Sequence, residues 1–160
     1  MTVKIQARHE YAVLPSKAHA KDFCYDVTAV SEEEIAPNVW KYKLGFAAQI
    51  EREPIKVSTT TGEVRFIEPD MFDLSIDLRP RSGIWKTGMI LSNCEGTIDE
   101  IFTGEISAVF YHVLPNMPRY KVGDRIGQIK IGLSLPMEFI EVEELDATDR
   151  GEGSYGSTGR

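Results

Sequence analysis

The stretch Met71-Phe-Asp-Leu-Ser-Ile-Asp-Leu-Arg79 is the clearest structural signal in the chain. Its apolar residues recur at every second position and alternate with polar ones. Because successive side chains of a β-strand point to opposite faces of a sheet, this period of two is typical of a strand. We therefore predict a strand here, with one face in the core and one face toward solvent.

Similar short segments occur on both sides of this stretch, and Gly or Pro separates most of them. Many short strands with frequent turn residues predict an all-β sandwich or barrel. The only helix we expect is one turn over residues 82–86, with Ser82 as its cap and Gly88 as its stop. The other predicted strands are residues 3–7, 23–29, 39–50, 55–60, 63–67, 106–113, 125–131 and 137–142.

Two regions have the composition of irregular structure. Residues 31–38 contain three consecutive glutamates and Pro37, which predicts a solvated loop. Residues 149–160 are rich in glycine and almost free of apolar side chains, so this segment cannot bury enough surface to fold alone. We predict one β domain over residues 1–148, with a longer-than-usual segment near 31–70, followed by a flexible arm over 149–160.

Composition excludes several function classes. The chain has 160 residues and a formal net charge of −7, whereas proteins that bind nucleic acid through phosphates usually carry a basic surplus. No apolar run approaches the roughly 18 residues of a membrane span, and no apolar leader opens the sequence. We expect a cytoplasmic protein without nucleic-acid or membrane partners.

The cysteine and histidine positions do not form a metal-binding pattern. Cys24 and Cys94 are far apart, and the three histidines are scattered. We expect two reduced and mostly buried thiols, and no transition metal held by the protein.

The glycine-rich arm has the residue types of a phosphate-binding and base-stacking segment. Arg150, Ser157 and Thr158 are natural phosphate partners, Gly156 allows close backbone approach, and Tyr155 offers a ring for stacking. Gly/Ser-rich ends are more often solubilising linkers, and that alternative stays open at this point.

Four further segments contain residues that could carry chemistry, although each segment alone is a weak signal. Arg81 and Ser82 follow a strand and could hold phosphate, or form an exposed turn. Asp99 lies in an apolar hairpin between glycines and could act as a general base, or simply occupy a hairpin corner. Gln128 would stand on a strand after a turn at Gly123-Asp124. Asp26 has apolar neighbours and needs an arginine, a metal-bound water or backbone amides as partner.

Taken together and in order, these segments resemble the five motifs of the trimeric deoxyuridine triphosphatases (dUTPases). The resemblance extends from about residue 20 to the end of the chain. The motifs are Tyr25-Asp-Val-Thr-Ala29, Pro80-Arg-Ser-Gly83, Gly96-Thr-Ile-Asp-Glu-Ile-Phe-Thr-Gly104, Gly123-Asp-Arg-Ile-Gly-Gln128 and Arg150-Gly-Glu-Gly-Ser-Tyr-Gly-Ser-Thr-Gly159.

The resemblance implies a distorted jelly-roll and a homotrimer whose three active sites are shared between subunits. It implies hydrolysis of dUTP to dUMP and pyrophosphate with Mg²⁺. The arm of one subunit is expected to cap the pocket of another.

The resemblance also implies roles for individual residues. Asp99 is similar to the general base that activates the attacking water, and Asp26 to the acid that holds water around the metal. The other positions resemble substrate contacts. The phosphate contacts are Arg81, Ser82, Gly83, Gln128, Arg150, Ser157 and Thr158; the base and sugar contacts are Asn93, Thr97, Ile98, Phe102 and Tyr155, with Gly156 in the arm.

Two features depart from the family pattern. Phe102 stands where the family usually has a Tyr. The segment before the second motif is long, and we expect an extra hairpin within residues 54–69.

Two other functions are compatible with this fold class. One is a dCTP deaminase or a bifunctional relative, which would release ammonia. The other is a non-enzymatic jelly-roll binding or structural module. The Gly-Thr-Ile-Asp hairpin and the Gly-Ser-Thr-Gly arm favour the hydrolase.

Overall fold

The computed structural model describes residues 1–68 and 71–154. Within these ranges the protein is built from short β-strands and a 3₁₀ helix, Ser82–Lys86, as the sequence predicts. The strands are β1 (Thr2–Ala7), β2 (Tyr25–Thr28), β3 (Ser31–Ala36), β4 (Val39–Lys43), β5 (Phe46–Glu51), β6 (Ile55–Ser58), β7 (Val64–Ile67), β8 (Asp73–Arg79), β9 (Met89–Leu91), β10 (Gly96–Asp99), β11 (Ser107–His112) and β12 (Arg125–Ser134).

The strands form a distorted jelly-roll around one core. Two four-stranded sheets have the orders β10-β8-β12-β2 and β3-β4-β11-β9, and the pairs β1-β5 and β6-β7 form two smaller sheets. The core includes the rings of Tyr42, Phe46, Phe72 and Phe110, all of them at most 2% exposed. The Tyr42 hydroxyl donates a hydrogen bond of 2.9 Å to the backbone oxygen of Tyr120, so the buried phenol keeps a polar partner.

Strand β8 is confirmed and lies inside its sheet, between β10 and β12. Leu74, Ile76 and Leu78 face the core, as the alternation predicts. The opposite face is less exposed to solvent than expected, because Asp77 is only 8% exposed. Its carboxylate accepts hydrogen bonds from Lys130 Nζ and from Ser75 Oγ. Burial raises the pKa of Asp77, but the hydrogen bonds from Lys130 and Ser75, together with the charges of Lys130 and Arg79, outweigh burial, so that the pKa is lowered.

The predicted extended segment 39–50 is two strands with a sharp turn between them. Gly45 has a φ of +76°, in the left-handed region that favours glycine. A Cβ at this position would lie 2.9 Å from Cγ2 of Val30. Gly45 therefore divides β4 from β5, and β5 can pair with β1.

The prediction of a loop over residues 31–38 is wrong for most of that segment, because β3 pairs with β4 along its length. The glutamates mislead because β3 is an edge strand, where charged side chains are tolerated and discourage further pairing. Glu32 accepts a 3.0 Å hydrogen bond from Arg119, whose guanidinium lies 3.5 Å from the ring centre of Trp40. The hydrogen bond from Arg119 lowers the pKa of Glu32.

The prediction of a strand over residues 137–142 is also wrong. The segment has the apolar composition of a strand, but it pairs with no strand within the described part of this chain. Its apolar side chains are exposed, and Phe139 is 88% exposed.

The extra hairpin expected within residues 54–69 is present as the antiparallel strands β6 and β7. Ile55 lies opposite Ile67, and Ser58 lies opposite Val64. Both cysteines are free, as expected, but the expectation of burial is wrong: Cys24 is half-buried and Cys94 is exposed. In the described ranges no helix is long and apolar enough to cross a membrane.

We expect Gly132→Ala to destabilise the protein. A Cβ on Gly132 would lie 2.4 Å from Ser75 Oγ and 2.5 Å from Asp77 Oδ2, so the buried polar cluster must shift to admit it. Such overpacking costs about 1–3 kcal/mol, which urea denaturation would measure. Gly83→Ala is the matched stability control, because nothing lies within 4 Å of its Cβ position. Equal stability of the two variants would contradict the prediction.

Candidate active site

The phosphate-loop candidates lie where β8 ends. The chain passes from Arg79 through Pro80 into the 3₁₀ helix that begins at Ser82. Arg81, and not Ser82, occupies the cap position, and it makes no side-chain cap bond, so the predicted capping role of Ser82 is wrong. The turn is closed by the backbone N–H of Ile84, which donates to the Arg81 oxygen at 3.0 Å.

The helix stop also differs from the prediction. Thr87, and not Gly88, is the C-terminal cap residue, and both its N–H and its hydroxyl donate to the Ile84 oxygen. Gly88 has a different reason to be glycine. A Cβ there would lie 2.3 Å from the backbone oxygen of Leu114.

Asp26 lies between two arginines. Its Oδ1 accepts a 2.9 Å hydrogen bond from Arg81 Nε, and its Oδ2 accepts one of 2.9 Å from Arg125 Nη1. The Asp26 side chain is 13% exposed, so the two cations compensate a mostly desolvated charge. The expectation that Asp26 needs a partner is confirmed, and arginine is the partner.

Gln128 joins the same group of side chains through the register of the sheet. It lies directly opposite Asp26 on β2 and opposite Arg79 on β8. Its Nε2 donates to the backbone oxygen of Pro80 at 3.2 Å, which ties β12 to the start of the phosphate loop. We call Asp26, Arg81, Arg125 and Gln128 the Asp26 cluster.

The turn predicted at Gly123-Asp124 is present and leads into β12. Gly123 has a φ of +91°, and the N–H of Asp124 donates to the Lys121 oxygen at 3.0 Å. The Asp124 carboxylate accepts from the Lys121 N–H at 2.7 Å. This turn sets the start of the strand that carries Arg125 and Gln128.

The third motif forms an edge strand and a turn. In the described part of the chain β10 pairs with β8 alone, with Gly96 opposite Leu78 and Asp99 opposite Ser75. Asn93 and Thr97 are exposed, and Ile98 is half-buried against the core. A Cβ on Gly96 would lie 3.3 Å from Asn93 Nδ2, so the Asn93 amide rests beside the start of β10.

Asp99 and Phe102 are brought together by the turn after β10. The N–H of Phe102 donates to the backbone oxygen of Asp99 at 2.9 Å. The Phe102 ring lies over Gly104, where a Cβ would come within 2.5 Å of its Cζ. The Asp99 side chain is exposed and Phe102 is 46% exposed, so a ligand could reach both.

Within one chain, Asp99 and the Asp26 cluster are separate. Asp99 pairs with Ser75, whereas Gln128 pairs with Arg79, four residues further along β8. At the rise of a β-strand this is about 13 Å. The two groups also lie on opposite sides of β8. Each chain therefore presents two separate groups of candidate site residues, Asp99 with Phe102 and the Asp26 cluster, which we call the two half-sites.

The remaining predicted residues belong to the arm. Arg150 is exposed, and its Nε donates to the Gly153 oxygen at 3.0 Å. Tyr155, Gly156, Ser157 and Thr158 lie outside the described residues.

Sequence reasoning missed Arg125, although it lies within the fourth motif. The signal was available, because an apolar strand around Asp26 requires a cation, and Arg125 is three residues before Gln128. Reasoning also missed Arg52 and Glu100, whose side chains pair beside Asp99. No group of three His, Cys, Asp or Glu residues suited to a metal occurs among the described residues.

Comparison with known proteins identifies the family. Residues 73–159, more than half of the chain, match a family model described as dUTPase. The deoxyuridine 5′-triphosphate nucleotidohydrolase of Helicobacter pylori (strain P12) is 30% identical over 161 residues, covering 99% of this chain and 97% of that protein. The enzyme of the same name from Nautilia profundicola is 30% identical over 162 residues, covering both chains completely.

A solved structure supports the fold. A dUTPase of Staphylococcus bacteriophage 80alpha with dUpNHpp superposes with a TM-score of 0.74 at 21% identity, covering 99% of each chain. The jelly-roll topology, the five motifs and the full-length similarity agree, and the chain belongs to the dUTPase family.

Proposed function

We propose that this protein hydrolyses dUTP to dUMP and pyrophosphate. The observation that carries the proposal is the similarity, over the whole chain, to proteins named deoxyuridine 5′-triphosphate nucleotidohydrolase. The two half-sites support it, because one offers an exposed carboxylate and an aromatic ring in the same turn and the other offers two arginines, Arg81 in the loop after β8 and Arg125 at the start of β12.

In this proposal Asp99 is the general base. It accepts a proton from a water molecule while the water oxygen bonds to the α-phosphorus and the bond from that phosphorus to the pyrophosphate oxygen breaks. A carboxylate is a weak base at neutral pH, so its effect must come from placement and from exclusion of bulk water. The backbone bond from Phe102 to the Asp99 oxygen supports a defined placement.

The Asp26 cluster would hold the triphosphate. Arg81 contacts Asp26 through Nε, so its terminal amino groups can bind phosphate without loss of the ion pair. Ser82 and Gly83 would add a hydroxyl and an accessible backbone, and Gln128 would lie near the α-phosphate. Phosphoryl transfer needs positioning and charge compensation more than covalent catalysis, which fits this set of groups.

The third motif would read the nucleoside and the arm would close the site. Asn93 and the backbone of Thr97 and Ile98 would contact uracil, and the Phe102 ring would pack under the deoxyribose. In the arm, Arg150, Ser157 and Thr158 would contact the γ-phosphate, and Tyr155 would stack on the base, with Gly156 allowing close approach.

We include Mg²⁺ as the cofactor. The described residues offer no cage of protein ligands, which fits an ion held by phosphate oxygens and water. Each oxygen of Asp26 accepts one hydrogen bond from arginine, and a second lone pair on each is left to accept from a metal-bound water. When bound, the ion would offset negative charge on the triphosphate.

We further propose that the active unit is a homotrimer with shared sites. One chain separates its half-sites by about 13 Å along β8, so the Asp99 half-site of one copy can meet the Asp26 cluster of another. Residues 137–145 carry large exposed apolar side chains, which favours burial against another copy. These side chains are Met137, Phe139, Ile140, Val142 and Leu145. The cytoplasmic location stays a prediction.

The activity test uses the purified protein with dUTP, dCTP, dTTP or UTP in the presence of Mg²⁺. We expect pyrophosphate from dUTP alone, because a narrow site rejects the thymine methyl and an amide that donates to a carbonyl disfavours the cytosine amino group. Pyrophosphate and ammonia are both measured. Ammonia from dCTP would indicate a deaminase, and no product from any nucleotide would favour a binding module.

We expect Asp99→Asn to fold and assemble like the parent but to lose about 10²–10⁴-fold in kcat, the usual contribution of a general base. Light scattering checks assembly, and release of pyrophosphate checks turnover. Glu63→Gln, on the separate β6-β7 hairpin, is the control and should keep full activity. Near-normal kcat in Asp99→Asn would remove Asp99 from the role of base.

Deletion of residues 150–160 should leave the melting temperature within a few degrees of the parent, because this segment has little apolar surface to bury. It should lower kcat/KM for dUTP by about 100-fold through loss of closure over the substrate. Calorimetry and steady-state kinetics measure the two effects. Full activity of the shortened protein would show that the arm does not cap the site.

A further inference from the structure

Glu100, the residue after Asp99, forms a two-point contact with Arg52. Arg52 Nε donates to Glu100 Oε1 at 2.6 Å, and Arg52 Nη2 donates to Glu100 Oε2 at 2.5 Å. Two parallel bonds between a planar guanidinium and a carboxylate restrict rotation as well as distance. The backbone at Glu100 is therefore held in one orientation relative to Arg52.

Arg52 is itself attached to the core. It directly follows β5, and its Nη1 donates to the backbone oxygen of Phe72 at 2.9 Å. The guanidinium carbon lies 5.8 Å from the centre of the Phe72 ring, and Phe72 is 2% exposed. Asp73 Oδ1 lies 4.0 Å from Arg52 Nη2. The cation thus connects the turn after β10 to Phe72, the buried residue just before β8.

The Arg52–Glu100 contact lies at the end of the edge strand β10. Among the described strands β10 has β8 as its only neighbour, and Asp99 is its last residue. The chain turns immediately afterwards, with Phe102 bonded back to Asp99. Besides its backbone bonds to β8, β10 is held by the packing of Ile98 on the core, and the Arg52–Glu100 contact adds a side-chain anchor at the turn itself.

The charge state of Glu100 suits this contact. The hydrogen bond from Arg52 lowers the pKa of Glu100 against the opposing effect of burial, and the charge of Arg52 and a backbone hydrogen bond from Leu74 add to the lowering. Glu100 therefore stays ionised at neutral pH and keeps both bonds to Arg52.

We propose that Arg52 and Glu100 are positioning residues that hold the Asp99 carboxylate, and with it the Phe102 ring, in the geometry required for water attack. The proposal rests on the proposed role of Asp99 as general base. Neither residue touches the substrate in this scheme. Since displacement of a reacting group by about 1 Å can cost 10²-fold in rate, a loosened turn should lower turnover.

If the ion pair had a purely structural role, its loss would lower the melting temperature and the activity together. Both side chains are partly exposed, at 30% for Arg52 and 20% for Glu100. Ion pairs of this kind usually contribute little to global stability. A positioning role should therefore appear in kcat much more than in melting temperature or in affinity for an intact nucleotide.

The experiment compares the parent, Glu100→Gln, Arg52→Gln, Arg52→Lys and Asp99→Asn, with Glu63→Gln as the control that breaks an exposed ion pair on the β6-β7 hairpin. Glu100→Gln is the decisive variant because Arg52 keeps its bond to Phe72. For each protein we would measure kcat and KM for dUTP, the Kd of dUpNHpp, and the melting temperature.

We expect Glu100→Gln to lower kcat by about 10- to 100-fold, with KM and the Kd of dUpNHpp within about threefold of the parent. Its melting temperature should stay within about 3 °C. Arg52→Lys should be more active than Arg52→Gln, because it keeps the positive charge that attracts Glu100. It should be less active than the parent, because lysine cannot form the planar two-point contact.

The positioning role would be overturned if Glu100→Gln kept a kcat within twofold of the parent while the separate Asp99→Asn variant was inactive. The proposed function would remain intact in that case. A loss confined to KM, or one that parallels a large fall in melting temperature, would also overturn it. Absence of dUTP hydrolysis by the parent would overturn the proposed function. Activity of Asp99→Asn would overturn the role of Asp99 as general base. Either result would also overturn this inference.

Discussion

The register of the sheet along β8 is the constraint on which the candidate active site depends. Strand β8 pairs with β10 on one side and with β12 on the other, and these pairings assign Asp99 and Gln128 to different rows. Backbone hydrogen bonds set the rows, and a shift of one residue would turn every side chain of a strand to the opposite face. The separation of the two half-sites is therefore a property of the fold itself. This separation supports the proposal that a complete site draws on more than one copy of the chain.

Local charge compensation reconciles an acidic protein with a triphosphate substrate. The chain carries a net charge of −7, yet Arg81 and Arg125 meet at one carboxylate. Asp26 holds the two cations close together, where they would otherwise repel each other. If the triphosphate binds here, as proposed, it would meet guanidinium groups that are already oriented, and little side-chain entropy would be lost on binding. The overall charge of the chain therefore says little about the ligand of one site.

Several elements could be predicted because their signal is local. The alternation in residues 71–79, the helical turn at Ser82 and the hairpin within residues 54–69 depend on neighbours in sequence, and all three are present. The two wrong predictions about extended segments have a common cause. Residues 31–36 are charged yet form an edge strand, and residues 137–142 have strand composition yet find no partner among the described strands. Whether an extended segment becomes a strand depends on an available edge, which composition does not describe.

The candidate site divides in the same way. Residue types and their order in five motifs were sufficient to indicate the family, and the resemblance made Asp26, Arg81, Asp99 and Gln128 candidate site residues. Tertiary structure decided the partners. Arg81 and Arg125 reach Asp26 across 55 and 99 residues of sequence, and Arg52 reaches Glu100 across 48. A hydrogen bond depends on distances of about 3 Å in space, and only the packing of strands, turns and loops in the folded chain brings residues so distant in sequence within that range.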